Sequence, residues 1–515
     1  MSHSKPSIPL IVATTCTTAL MLIGCGANSS STASSGSSPV TPAATTVQVY
    51  ETTPDGQNLL AQQTPLTFGT GPGSGTFTVQ VTPSDVQQPW DGVGGAMTDS
   101  AATVISALPQ AQQQTVMTQL FSPSEGAGLS MIRLVMGASD FSASGDYSYD
   151  DMPAGQTDPT LANFSIAHDQ TAIIPLVQTA MTLNSNVKLI ALPMSPPAWM
   201  KTNGTMNGNS SASTTTSQII TADFPYLANY FVKFIQAYKA EGLPIYAVSA
   251  QNEPLDSNSG SPSAILTPAD EANFIANDLG PALVTANLSS TKIFGLEDDW
   301  SDTSYAQTLL QSAAANYLAG TSFHWYAGTV SAMSTIQAVN TGKSVWFTES
   351  TGTVSCPTPS TCPTLTGSTF SASGFKEQMQ ELIIGVVQNS GRGSMGWNLA
   401  LNQNEGPQNG FCYDCVGIVT INSNTSPASV YFNNTYYVLG HVGKFVTPGA
   451  NVISTTPGST SGIQSIGFQN PDGSLVVVAF NGGSSSTTLT VSWNDETFDY
   501  TLSSGTAVTF KWPTS

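Results

Sequence analysis

Helix-like and strand-like segments alternate from residue 90 to about 440, and after residue 449 short strands with Gly/Ser turns take over. Alternation of this kind marks parallel βα units, and an all-β stretch with frequent turns marks a sandwich. The sequence therefore predicts an α/β fold, a (β/α)8 barrel of the TIM type with an appended all-β sandwich. A third observation says where to look on it. Two runs rich in Val, Ile, Tyr, Trp and Phe carry a glutamate at their ends: IYAVSAQNEP with Glu253 and KSVWFTES with Glu349. Such runs read as buried parallel strands. A carboxylate just past one sits at the C-terminal mouth of a barrel, where that fold keeps its chemistry. The glutamates are 96 residues apart, the length of three βα units of about 30 residues. Three strands around a ring of eight put them across the mouth from each other.

In chain order, Lys5 and the apolar to small-residue stretch 9–24 read as an export signal, short of the ~20 residues a membrane span needs. The stretch closes on Leu22-Ile23-Gly24-Cys25, which resembles a bacterial lipobox with Cys25 as the acylated residue. Residues 1–25 are thus expected to be signal and lipobox, and the Ser/Thr/Ala/Pro-rich residues 26–45 a flexible tether. Residues 46–85 alternate around a TPDG turn and again at 76–81. A hairpin alone is barely stable, so it is expected to join residues 446–515 in a sandwich formed from both chain ends. Between them, residues 86–445 supply the barrel. An amphipathic segment at 98–120 precedes a strand at 129–136, and a helix at 172–184 precedes a strand at 187–192. The helix at 224–241 leads into the Glu253 strand, 271–286 into 292–296, 304–317 into 321–326, and 375–388 into 394–401.

At 515 residues the chain exceeds one core, which fits one large domain and a smaller one. Only 12 residues are basic against 32 acidic, for a net charge of −20. That argues against nucleic acid and against an anionic membrane surface as partners, and suits a neutral ligand such as a glycan. Membrane contact is expected only through the lipid anchor, and a monomer is expected. With Cys16 in the signal and Cys25 lipidated, Cys356, Cys362, Cys412 and Cys415 remain, as two close pairs. Outside the cytoplasm local disulfides are the default reading, with zinc at CYDC as the rival. The pairs stand 50 residues apart without a histidine suited to complete a metal site.

Further candidates stand at other predicted strand ends: Asp99, Arg133, Trp199, Asn252, His324, Tyr326, Trp397 and Asn398. Aromatic faces stack on sugar C–H surfaces, while carboxylates, amides and guanidinium bind hydroxyls. Each tryptophan alone reads as core; it is the clustering at strand ends that points to a sugar site. Paired carboxylates complete what glycoside hydrolysis uses. The pair alone fits a retaining or an inverting reaction, for which separations of about 5–5.5 Å and 6.5–9.5 Å are diagnostic. A carbohydrate-binding lipoprotein on an inactive barrel would have no use for the second glutamate.

GGAMTDSAA, ASDFSASGDYSYDD, SPPAWMKTNG, QNEP, FHWY, FTES and WNLALN follow one another in this order. Over residues 46–512 the chain resembles glycoside hydrolase family 30, which includes glucosylceramidases and fungal endo-β-1,6-glucanases. The resemblance implies the barrel-plus-sandwich fold, Glu253 as acid/base, Glu349 as nucleophile and Asn252 at the sugar 2-hydroxyl, with no metal or organic cofactor. GFCYDCVGIVTIN, QNEPL and GIQSIGFQNPDG look more like the β-1,6-glucanase branch, while WNLALN and GGAMTD look equally like glucosylceramidases. A neutral β-glucan, β-1,6-linked, is the expected substrate, with glucosylceramide as the alternative. The insertion VSCPTPSTCPTLTG matches neither branch and is expected to line the cleft. A nucleophile must be ionised, so Arg133 or Tyr326 is expected on Glu349. Glu253 must hold a proton, so it is expected in the drier surroundings.

Overall fold

The computed structural model describes residues 45–209, 216–356, 358–410, 412–456, 459–460 and 462–514. The expected signal with Cys25, and all but Thr45 of the expected tether, lie outside these residues. Eight parallel strands close into a barrel: β1 (Gly92–Met97), β2 (Met131–Val135), β3 (Lys188–Leu192), β4 (Ile245–Ser249), β5 (Lys292–Asp299), β6 (Leu318–His324), β7 (Ser344–Glu349) and β8 (Gly391–Asn398), which pairs back to β1. Successive side chains of a strand point alternately into the barrel and out to the helices. On β2, Ile132 and Leu134 pack into the layer beneath the helices. Met131 instead joins Ile190, Ala247, Phe294, Trp346 and Met395 in a plug inside the barrel, where the Phe294 and Trp346 rings stack at 4.0 Å. Arg133, two residues on, therefore points inward above the plug.

Two local features go beyond the sequence pattern. Segment 98–120 is two helices, Asp99–Ser106 and Gln110–Phe121. Pro109 lacks the N–H that would continue the first one. The sequence also gave no strand at β1, because half of GVGGAM is glycine, a poor strand former. The glycine is required at Gly94, where a Cβ would overlap the backbone of Met131 on the neighbouring strand.

The sandwich draws on both chain ends. Thr46–Thr52 pairs antiparallel with Ala507–Trp512, and Phe77–Pro89 lies between Asn451–Thr456 and Thr487–Trp493 in the same sheet. Alternation divides the labour of Leu475–Asn481: Leu475, Val477 and Ala479 face Val47, Val49 and Trp512 inside the sandwich, while Val476, Val478 and Phe480 pack with the barrel. His441, on the helix Asn434–Gly443 that follows β8, is fully buried and hydrogen-bonds the hydroxyls of Thr52 and Thr509 at 2.9 and 2.8 Å.

Candidate active site

The barrel strands do not end in register. The β6–β7 pairing runs Phe323 to Phe347 and then skips Thr348, so that Glu349 stands opposite His324. On β5 the pairing skips Glu297, where Leu296 and Glu297 both take positive φ (72° and 59°). On β8 it skips from Met395 to Asn398, past Trp397. A β-bulge re-aims a side chain at the cost of one ladder position. Three of them, at three strand ends, turn Glu349, Glu297 and Trp397 toward one point above Arg133. Glu253 follows β4 and itself has φ 40°, a conformation uncommon outside glycine and often stored at functional sites.

Arg133 is the hub. Its Nη1 donates to Glu349 Oε2, its Nη2 to Asn252 Oδ1 and its Nε to Glu297 Oε1 at 3.2 Å, and its guanidinium carbon lies 4.9 Å from the Trp397 ring centre. The Tyr326 hydroxyl donates to Glu349 Oε1 at 2.8 Å, so both oxygens of Glu349 are occupied by donors. Glu253 receives one: His324 Nδ1 lies 3.1 Å from its Oε1. Among the described residues its Oε2 has no hydrogen-bond partner. One carboxylate oxygen of each glutamate and a His324 ring nitrogen lie within 4.8 Å of one another. The expectation that Glu253 sits drier is not met, since its side chain is 27% exposed against 7% for Glu349. The difference between the two carboxylates lies in their donors.

Burial opposes charge on Glu297, yet Arg133, His324 and Ser249 together hold it well below the usual carboxylate range. His324 is also fully buried, but the charge of Glu349, the hydrogen bond to Glu253 and the Glu297 carboxylate 3.5 Å from its Nε2 outweigh burial and keep its ring protonated well above the usual range. Burial, then the charge of Glu253, pushes Asp298 up to about 8 and Asp256 to about 6. Burial, then Glu349 and Glu253, raises Asp140 far above the usual value. A neutral carboxyl in such a place both donates to and accepts from a sugar hydroxyl.

These groups surround a cavity of about 550 Å³ lined by Asp140, Asn252, Glu253, Tyr326, Glu349 and Trp397, with Met194, Leu255, Asp298, Cys412 and Cys415 also in its wall. Of the residues singled out in the sequence, Arg133 and His324 lie beneath it on the carboxylates. Asp99, Trp199 and Asn398 do not line it. Asp99 opens the helix after β1 and turns outward to His168 Nε2 at 2.8 Å. Trp199 donates to Asp150 from a turn packed on Tyr226. Asn398 is buried and accepts from Thr98 at 2.6 Å. Asp140 and Glu297 escaped the reading. Asp140 stands in the quoted ASDFS motif, and Glu297 is an acid inside the apolar run IFGLEDDW, a buried-charge signal.

The chain after β7 is tied across the cleft. Gly352–Thr353 pairs antiparallel with Cys415–Val416, and Val354 N–H donates to Asp414. Cys412 is bonded to Cys415 and Cys356 to Cys362, so the CYDC sulfurs are engaged with each other. The first disulfide packs beside Trp397, Phe141 and Met194.

The raised carboxyls carry a stability consequence. Glu271 is fully buried on the helix Pro268–Phe274, with one oxygen accepting from Leu296 N–H, and burial pushes it up to about 8. Between about pH 4.5 and 8 the folded chain holds protons on Glu271 and Asp298 that the unfolded chain releases. Stability therefore falls as pH rises through that window, by up to about 1.4 kcal/mol per unit per group. His324, raised in the fold, loses its contribution in the same direction above its unfolded value. Thermal melts should give a lower Tm at pH 8 than at pH 5.5, with a shallower slope for Glu271→Gln. A Tm that rises with pH over this range would contradict the account.

A parallel barrel with two acids, a buried arginine and an aromatic wall at its C-terminal mouth is the architecture of a glycosidase. Comparison with known proteins agrees. Residues 90–446 match the glycosyl hydrolase family 30 TIM-barrel domain and residues 449–510 the glycosyl hydrolase family 30 beta sandwich domain. The chain belongs to glycosyl hydrolase family 30. It is 34% identical over 420 residues to an endo-1,6-beta-D-glucanase of Aspergillus fumigatus, covering 79% of this chain and 81% of that one. It is 32% identical over 501 residues to the lysosomal acid glucosylceramidase of Mus musculus, covering 92% and 90%. A solved endo-beta1,6-glucanase superposes with a TM-score of 0.80 at 30% identity, over 91% of this chain and all of that one.

Proposed function

We propose that this protein hydrolyses β-1,6-linked glucan with retention of configuration, Glu349 acting as nucleophile and Glu253 as acid/base. The observation that carries the roles is the unequal donor sets of two carboxylates whose oxygens approach within 4.8 Å. Glu349, oriented by donors from Arg133 and Tyr326, is the carboxylate that attacks C1. Glu253, with Oε1 fixed on His324 and Oε2 free, presents one oxygen for a proton to the departing glycosidic oxygen. Once that proton is given, the same oxygen takes one from water, which then releases the sugar from Glu349. Asn252, oriented by Arg133, suits the 2-hydroxyl, Asp140 another hydroxyl, and Trp397 a face of the ring.

The glucan reading is supported by the relatives and by the mouth itself. Among the described residues the only large apolar side chains more than a third exposed that border the cavity are Leu255 and Tyr326. Lipid tails would ask for more apolar surface than this. Assays on pustulan, glucosylceramide and xylan side by side are expected to give gluco-oligosaccharides from pustulan and little turnover of the other two. Preference for glucosylceramide would overturn the substrate and leave the catalytic roles standing. Export and lipid anchoring belong to the same reading, on the Leu22–Cys25 sequence; no described helix is long and apolar enough to cross a membrane. Cys25→Ser should move the protein from the detergent phase to the aqueous one at unchanged specific activity, and a wild type already in the aqueous phase would count against the anchor.

A further inference from the structure

The catalytic cavity continues on the β6–β7 side. Tyr326, Thr351 and Thr353 border it and also border a second cavity of about 710 Å³, within the size range of ligand sites. Its walls are the loop after β6, the chain after β7 and the helix Ala372–Gln378. The chemistry of the walls is selective. Trp325 supplies an indole, Trp300 lies buried in the wall against Phe347, and Glu377, Gln378 and Asn434 supply side-chain acceptors and amides. Trp300 Nε1–H is buried without a hydrogen-bond partner among the described residues. Among the described residues no Lys, Arg or His lines the space, which disfavours an anion. Neutral hydroxylated rings, with C–H faces for indole and hydroxyls for amides and carboxylates, match what is there.

The wall is also built rather than loose. Thr369, Ser371 and Ser373 come from the excursion after β7. Thr369 N–H donates to Asn433 Oδ1 at 2.9 Å and Ser371 N–H to Asn434 Oδ1 at 3.0 Å, while Ser371 caps the helix through Gly374 N–H. The other end of the excursion is held by the ladder to Cys415 and Val416. The residues on either side of the insertion, 351–353 and 369–374, are thus pinned and form a fixed side of the cavity.

We propose that this second cavity is a chain-binding arm of the cleft, holding glucosyl residues of the same glucan beyond the bond being cut, so that the enzyme attacks within chains. The proposal rests on the β-glucanase reading above. Two substitutions address it: Ser373→Trp, which fills the cavity from an exposed helix start, and Trp325→Ala, which removes one indole, with Trp325→Phe as its conservative control. The readout is the ratio of kcat/KM for a long over a short β-1,6-gluco-oligosaccharide. It should fall roughly tenfold in the first two variants, about one lost ring contact, mainly through KM, and recover in Trp325→Phe. A ratio kept within about twofold of wild type in both Ser373→Trp and Trp325→Ala would overturn the arm. Calorimetric titration of β-1,6-, β-1,3- and β-1,4-linked gluco-oligosaccharides onto Glu349→Gln, with and without Ser373→Trp, separates the two claims. If another linkage binds in place of β-1,6 and Ser373→Trp abolishes its length dependence, the arm stands and the linkage falls. If β-1,6 chains bind and Ser373→Trp changes nothing, the linkage stands and the arm falls.

Discussion

Glu349→Ala is expected to fold and to lose roughly 10³-fold or more in turnover, the scale seen when a covalent nucleophile is removed. Folding should survive because Arg133 keeps Glu297 and Asn252 as partners after the carboxylate is gone. The deletion leaves space facing C1, so added azide should restore part of the activity on an activated aryl β-glucoside. The product should be a glycosyl azide of inverted configuration. Near-normal turnover without azide would sink the assignment of Glu349, and a variant that melts far below the wild type would locate its role in the buried charge network instead.

Glu253→Ala should divide substrates by their leaving groups. Natural glucan, whose departing alkoxide needs a proton, should lose far more than aryl glycosides with acidic phenols, which leave unaided. Azide should here give a product of retained configuration, because the glycosyl-enzyme on Glu349 still forms. Equal losses on both substrate types would mean that Glu253 plays another part.

Much of this is legible in the sequence. The apolar strands ahead of Glu253 and Glu349, and the helices between them, are periodic enough to show the barrel, and their spacing puts the pair three strands apart, as found after β4 and at the end of β7. Local pattern could not show the bulges. A skipped residue in a strand pairing is a property of two neighbouring strands, so neither the turn of Glu297 toward Arg133 nor the stance of Trp397 has a signature in its own segment. The same limit explains Asp99, Trp199 and Asn398. All three stand next to strand ends, yet each is bonded to a partner that does not line the cavity, His168, Asp150 and Thr98. Asp140 lay in plain view in a motif, but several acids share that stretch, and only the path of the loop after β2 selects one.

The strand Thr46–Thr52, paired with Ala507–Trp512 and bonded to the barrel through His441, makes the sandwich a seam rather than a removable module. Cutting the chain near residue 446 to isolate the barrel would strip Thr46–Thr52 of its neighbour and open Phe77–Pro89 along two sides. Unpaired strand edges of that length recruit other chains. Val476, Val478 and Phe480 would leave bare the barrel surface they cover. A shortened enzyme would therefore be an aggregating one, and engineering for a smaller catalyst has to begin by redesigning this seam.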